Sequence, residues 1–180
     1  VLDPELDKSV HLDYIRAGAQ VMETNTFGAN SLRLATYGLA DKVVEINRAG
    51  VELAREAQTL TGQSVWIAGA IGPLGQGLAP LGPIGLAQAR SVFADQARAL
   101  SEAGIDLLTL ETFTDLREVQ EAISACRGVC DLPIVAHITF AGDAGDSEEH
   151  GTEETVRTLA DLDVEAIGLN CSVGSERMLR

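Results

Sequence analysis

The 180-residue chain is short of cysteine, of basic residues and of long apolar runs, and each shortage removes a class of protein. Three cysteines without framework spacing, Cys126, Cys130 and Cys171, argue against a disulfide scaffold and for a reducing cytoplasm. Lys and Arg number 13 against 27 Asp and Glu, a formal net charge of −14. Such a balance repels a phosphate backbone, so nucleic acid is not an expected partner. No apolar run reaches the ~18 residues that cross a membrane, and no charged leader precedes an apolar segment, so no membrane partner is expected either. The nucleotide-cradling turns G-x-G-x-x-G and G-x-x-x-x-G-K-[ST] are missing. Both lysines, Lys8 and Lys42, fall in predicted helices, which sets aside an aldolase-like barrel with a Schiff-base lysine at a strand end.

What is present is a composition of 46% hydrophobic and 22% charged residues, ordinary for a soluble domain with a single well-filled core. Two periodicities alternate along it. Asp3 to Ala17 reads as a helix, with Leu6, Val10, Tyr14 and Ala17 on one stripe. Gln20 to Phe27 reads as a strand and Asp41 to Leu60 as a helix with Asp41 as N-cap. Val65 to Ile71 is a strand, Ala87 to Ala103 a helix stopped by Gly104, and Ile105 to Thr112 a strand. Thr114 to Arg127 is a helix capped by Thr114, Pro133 to Phe140 a strand, and Thr152 to Leu162 a helix. Ala166 to Cys171 is the last strand, with a further helix beginning near Ser175.

Five apolar strands separated by helices predict an α/β fold with a parallel sheet. Without a phosphate-binding turn, a (β/α)8 TIM-barrel segment fits better than a doubly wound sheet. The segment comprises about five βα units in one domain over residues 1–180, lacking one strand before Val1 and two after Arg180.

In such folds chemistry gathers at the carboxyl ends of the strands. The five ends here carry Glu23-Thr24-Asn25-Thr26, Gly69 to Pro73, Glu111-Thr112, His137 with Thr139, and Asn170-Cys171. Strand alternation puts Cys171 on the face of Ile167 and Leu169, and Glu111 on that of Leu107 and Thr109. Glu111 is either a site carboxylate or a strand-end acid paired with Lys or Arg. His137 reads as a satisfied core histidine, and Cys126 and Cys130 as packing residues. Residues 72–85, with three prolines and five glycines between Ile71 and Gly85, read as a lid or substrate-facing loop. Asp143, Asp146, Glu148 and Glu149 read as a solvated turn rather than a calcium loop.

Five segments in order resemble the homocysteine S-methyltransferase family. They are VHLDYIRAGAQVMETNTFGAN (Val10–Asn30), EINRAGVELAREA (Glu45–Ala57), AGAIGPLG (Ala68–Gly75), DLLTLETFTDLREVQEAI (Asp106–Ile123) and IGLNCSVG (Ile167–Gly174). The resemblance implies a (β/α)8 barrel that transfers a methyl group to the thiol of homocysteine, giving methionine. It implies that Cys171 is one of three cysteines holding a catalytic zinc, the other two being expected beyond residue 180. It implies that Glu111 binds the substrate ammonium and that Thr24, Asn25, Thr26 and Asn170 belong to the substrate-binding set. The methyl donor is left open among methylcobalamin charged from methylfolate, betaine and S-methylmethionine, with cobalamin or folate reached through other modules. With one zinc ligand of three, the 180 residues alone are expected to be inactive. The alternative is a non-catalytic truncated barrel serving as a binding or assembly module.

Overall fold

A computed structural model describes residues 3–139 and 152–171. The expected acidic turn at 143–149, the end of the fourth strand at Phe140 and the final helix near Ser175 lie outside these residues.

Five parallel strands form one sheet in the order β1 (Val21–Glu23), β2 (Trp66–Ile71), β3 (Leu107–Phe113), β4 (Ile134–Ile138) and β5 (Ala166–Leu169). Each pairs with the strand that follows it in sequence, as in Met22 opposite Ile67, Gly69 opposite Leu108, Thr109 opposite Val135 and His137 opposite Gly168. A doubly wound sheet reverses its strand order at a switch point; this one never reverses, which is the progression of a (β/α)8 barrel.

The major helices are α1 (Pro4–Arg16), α3 (Val43–Thr61), α4 (Leu86–Ala103), α5 (Leu116–Arg127) and α6 (Thr152–Ala160), with a short α2 (Ser31–Ala35) between β1 and α3. Neighbouring helices pack on one another, α1 on α3, α3 on α4 and α4 on α5, so the helical layer follows the strand order. Between the layers lie Ile15, Val51, Ala54, Ile67, Phe93, Leu100, Leu108, Leu110 and Phe113, all fully buried. The rings of Phe93 and Phe113 meet at 5.9 Å with a tilt of 52°, within the range favoured by aromatic pairs.

Local chemistry moves several boundaries from where periodicity put them. The first strand stops at Glu23, not Phe27, because Thr26 N–H turns back to the carbonyl of Thr24 at 2.8 Å. Asp41 does not cap α3: residues 40–42 form a tighter 3₁₀ turn, and the helix starts at Val43 without a side-chain cap. Asp115 rather than Thr114 caps α5, its carboxylate accepting from Arg117 N–H at 2.9 Å. Asn30 caps α2 by accepting from Arg33 N–H at 3.0 Å, and a five-residue helix is too short to show a period. The predicted stripe of α1 is also not its buried face. His11 and Ile15 are buried, whereas Leu6, Val10 and Tyr14 are exposed and line a cavity beside β1.

The 72–85 connection folds onto the core. Leu74, Leu78 and Ile84 are buried, and Ala79 N–H reaches the carbonyl of Ile84 at 2.8 Å. Glu118 accepts from Leu74 N–H at 2.7 Å and Arg33 Nε donates to the carbonyl of Pro73 at 2.7 Å. These ties make it an anchored excursion instead of a free lid.

Gly50 of α3 packs tightly against the turn after β1: a Cβ there would sit 2.6 Å from Thr26 Cγ2. Gly50→Ala gains about 1 kcal/mol of helix propensity. It loses about 1–3 kcal/mol by overpacking a buried methyl that cannot retreat. Net destabilisation in chemical denaturation is expected, against the direction that propensity alone dictates.

Candidate functional site

The carboxyl ends of β1 and β3 open into a cavity of about 940 Å³ lined by Glu23, Thr24, Asn25, Phe27 and Glu111, and by α1 residues that include Asp7 and His11. Parallel pairing brings these residues to one rim although 88 positions separate Glu23 from Glu111. The 72–85 loop contributes nothing to this lining.

Thr24 and Thr26 are buried and stitch β1 to β2. Thr26 Oγ1 donates to the carbonyl of Ala70 at 2.8 Å, which leaves Thr24 Oγ1 to donate to Thr26 Oγ1 at 2.6 Å, and Ala70 N–H donates to Thr24 Oγ1 at 3.2 Å. Behind them Gln96 Nε2 donates to the carbonyl of Thr26 at 2.8 Å and to Asn47 Oδ1 at 3.3 Å. Thr24 and the exposed Asn25 face the cavity, while Thr26 lies outside its lining. Thr26 is thus a support of the wall rather than part of it. Asn25 Nδ2 donates to Asp7 Oδ1 at 3.4 Å, a long contact that leans the β1 exit toward α1.

Glu111 is half-buried, and among the described residues no Lys or Arg forms an ion pair with it or with Glu23. Of the two readings of this carboxylate, the structural ion pair is therefore the one the geometry does not supply. Burial, then the nearby charge of Glu23, pushes the Glu111 carboxyl above the usual carboxylate range. His137 faces the same field. Burial lowers its pKa against the opposing pull of Glu23, and its Nδ1 is buried without a protein partner among the described residues. The expected satisfied core histidine is thus only half-buried and unsatisfied at one nitrogen. Its ring lies over Gly168, where a Cβ would come within 2.5 Å of His137 Cδ2.

Asn170 joins three strand ends. Its Nδ2 donates to Glu111 Oε2 at 3.2 Å and to Thr112 Oγ1 at 3.1 Å. Its Oδ1 accepts from Thr112 N–H and from Thr139 Oγ1, each at 3.1 Å. Thr112 and Cys171 both carry positive φ, 64° and 49°. Strand alternation therefore stops short of Cys171: β5 ends at Leu169, and the face of Ile167 does not fix where the thiol points. Cys171 is a free, exposed thiol next to the residue that touches Glu111. Cys126, by contrast, is sealed in the core, and burial pushes its thiol up to about 12. Cys130 packs half-buried against the same cluster.

Among the described residues no three His, Cys, Asp or Glu side chains converge as a metal site. Cys171 suits one soft ligand, and the described residues offer no set to complete it. Sequence reasoning missed Asp7 and His11 as cavity residues. Their i, i+4 spacing on α1 was the available signal, masked by the apolar stripe beside it. Thr112 and Thr139 were seen only as strand-end residues, since a contact across 58 positions leaves no local trace.

A carboxylate whose pKa is raised on folding contributes stability below its ordinary value of 4.5 that is lost as pH rises through its folded value. Glu111→Gln is accordingly expected to stabilise the free protein at neutral pH, with the gap to wild type closing on acidification below the ordinary carboxylate value. Urea denaturation of both proteins at pH 7 and pH 4 checks this; equal stability at pH 7 contradicts it.

A family model described as "Homocysteine S-methyltransferase" matches residues 1–180. The chain is 30% identical over 185 residues to methionine synthase of Mycobacterium tuberculosis, covering 97% of this chain and 15% of that protein. Methionine synthase of Mycobacterium leprae is 29% identical over the same length and coverage. The metallated form of the homocysteine methyltransferase MmuM from Escherichia coli superposes with a TM-score of 0.84 at 27% identity, over 98% of this chain and 66% of that one. The chain thus spans about two thirds of the solved relative and a small part of the curated ones.

Proposed function

The chain belongs to the homocysteine S-methyltransferase family, and from that premise we propose that it forms the homocysteine-binding part of a zinc-dependent enzyme that methylates the homocysteine thiol to give methionine. The observation that carries this reading is Glu111: a half-buried carboxylate at a strand end, facing a cavity, with no cation of its own among the described residues. A carboxylate so placed favours an ammonium ligand, since the incoming charge offsets both its desolvation and its repulsion by Glu23.

In this reading Glu111 takes the amino group of homocysteine, and Thr24 and Asn25 form the neighbouring wall, with Thr26 bracing it from behind. Asn170 belongs to the same rim through its bond to Glu111. Cys171 supplies one zinc ligand, and the remaining ligands come from outside the described residues. Zinc, when bound, holds a coordinated thiol deprotonated at neutral pH, where a free thiol with pKa ~8.5 is mostly protonated. The protein's own task is then orientation: fixing the amino-acid end at Glu111 would aim the sulfur toward the Cys171 rim, and a thiol already deprotonated needs no general base for methyl transfer. The donor is one of methylcobalamin charged from methylfolate, betaine or S-methylmethionine. The 180 residues alone, with one ligand, are proposed not to turn over.

Two variants of the full-length protein test this. Cys171→Ala is expected to abolish the zinc that elemental analysis finds in the wild type; undiminished zinc removes Cys171 from the site. Glu111→Ala is expected to retain zinc but bind homocysteine about 10- to 100-fold more weakly, as loss of a charged hydrogen bond implies. Unchanged affinity by calorimetry counts against its role.

A further inference from the structure

We infer that Asn170 is a positioning residue, not a substrate contact, and that the Thr139 hydroxyl anchors it; the inference rests on Glu111 being the carboxylate that takes the homocysteine amino group. A side-chain amide has two donor protons and one oxygen that accepts twice. Asn170 uses all of that capacity inside the protein: Nδ2 on Glu111 Oε2 and Thr112 Oγ1, Oδ1 on Thr112 N–H and Thr139 Oγ1. Nothing is left over for a ligand without breaking one of these bonds.

The node is anchored on every side. Asn170 N–H donates to the carbonyl of Ile138 at 3.2 Å, tying its backbone to β4. Thr139 N–H donates to the carbonyl of Phe113 at 2.7 Å, tying β4 to β3. Thr139 Oγ1 lies 2.9 Å from the Asn170 carbonyl and 3.1 Å from Oδ1, so its single proton is shared between backbone and side chain of the same residue. This hydroxyl is buried and holds Asn170 at both backbone and side chain, while Thr112 N–H, which can only donate, distinguishes the two ends of the amide. With Oδ1 turned to Thr139 and Thr112 N–H, the NH₂ group must face Glu111. A flipped amide would set NH₂ against Thr112 N–H and leave Glu111 opposed by an oxygen.

The arrangement also holds the backbone of Thr112, a β-branched residue at φ 64°, where such side chains are outliers. Asn170 bonds both the N–H and the hydroxyl of Thr112, so the residue immediately after Glu111 is fixed in the conformation that directs the carboxylate. Cys171 follows Asn170 directly, itself at positive φ, but its thiol takes no part in these amide contacts.

The test uses the full-length enzyme. Thr139→Val removes the anchoring hydroxyl without replacing Asn170 or Glu111; Thr139→Ser restores it. Thr139→Val and Asn170→Asp are expected to weaken homocysteine binding about 10- to 100-fold, the usual cost of a lost supporting shell, with zinc content intact. The loss should fall on KM, with kcat at saturating homocysteine largely kept, and Thr139→Ser should return affinity to near wild type. A residue that merely supports the fold would not split KM from kcat, and a direct substrate contact at Asn170 would leave Thr139→Val at wild-type affinity. Either wild-type affinity in Thr139→Val or failure of Thr139→Ser to restore it overturns the inference, as does zinc loss in Asn170→Asp. Glu111→Ala in parallel separates the two levels. If that variant binds homocysteine normally, the underlying reading fails; if it binds weakly while Thr139→Val binds normally, only the positioning role fails.

Discussion

Parallel pairing in unbroken sequential order is the constraint on which the rest of the molecule depends. It sends every strand the same way, so residues that close β1, β3, β4 and β5 arrive at one rim however far apart they stand in the chain. Each strand needs a helical return, and those returns cover one face of the sheet with an apolar layer. The rim is then the place where polar groups can concentrate without disturbing the core. Thr24 and Thr26 bind β1 to β2 there, and Asn170 binds β5 to β3 and β4.

Charge is treated differently at the rim than elsewhere. Away from it, acidic side chains find cations or backbone donors. Asp106 is one: burial works against its charge, yet Arg55 and the N–H of Ile67 outweigh that and hold its carboxyl below the ordinary range. Glu121 pairs with Arg90, and the buried Glu118 accepts from Leu74 N–H. Among the described residues Glu111 meets only a neutral amide, which lends a hydrogen bond but no charge. An uncompensated half-buried carboxylate beside another is unfavourable for folding and favourable for capturing a cation, the exchange of stability for binding found at functional sites.

The order and kind of the main elements were legible because apolar periodicity is a local property, and strand-after-helix alternation admits few topologies. The strand-end residues were legible for the same reason: Glu111 and Asn170-Cys171 sit where apolar runs stop. What periodicity could not carry was everything decided across space. Positive φ at Thr112 and Cys171 breaks strand alternation, and neither residue type announces it. The α1 stripe of Leu6, Val10 and Tyr14 has helical spacing but lines an open cleft, since spacing reports a face and not what covers it. The Asp41 and Thr114 caps failed by one or two residues because a 3₁₀ turn and an adjacent aspartate competed for the same helix starts.

The contrast between Cys126 and Cys171 reaches beyond ligand binding. A sulfur enclosed by packing, with its ionisation suppressed, is shielded from peroxide and from alkylating reagents alike. The Cys171 sulfur lies exposed at the solvent boundary, without that enclosure. Oxidative damage to this polypeptide therefore has a preferred address, and it is the same atom proposed above as a zinc ligand.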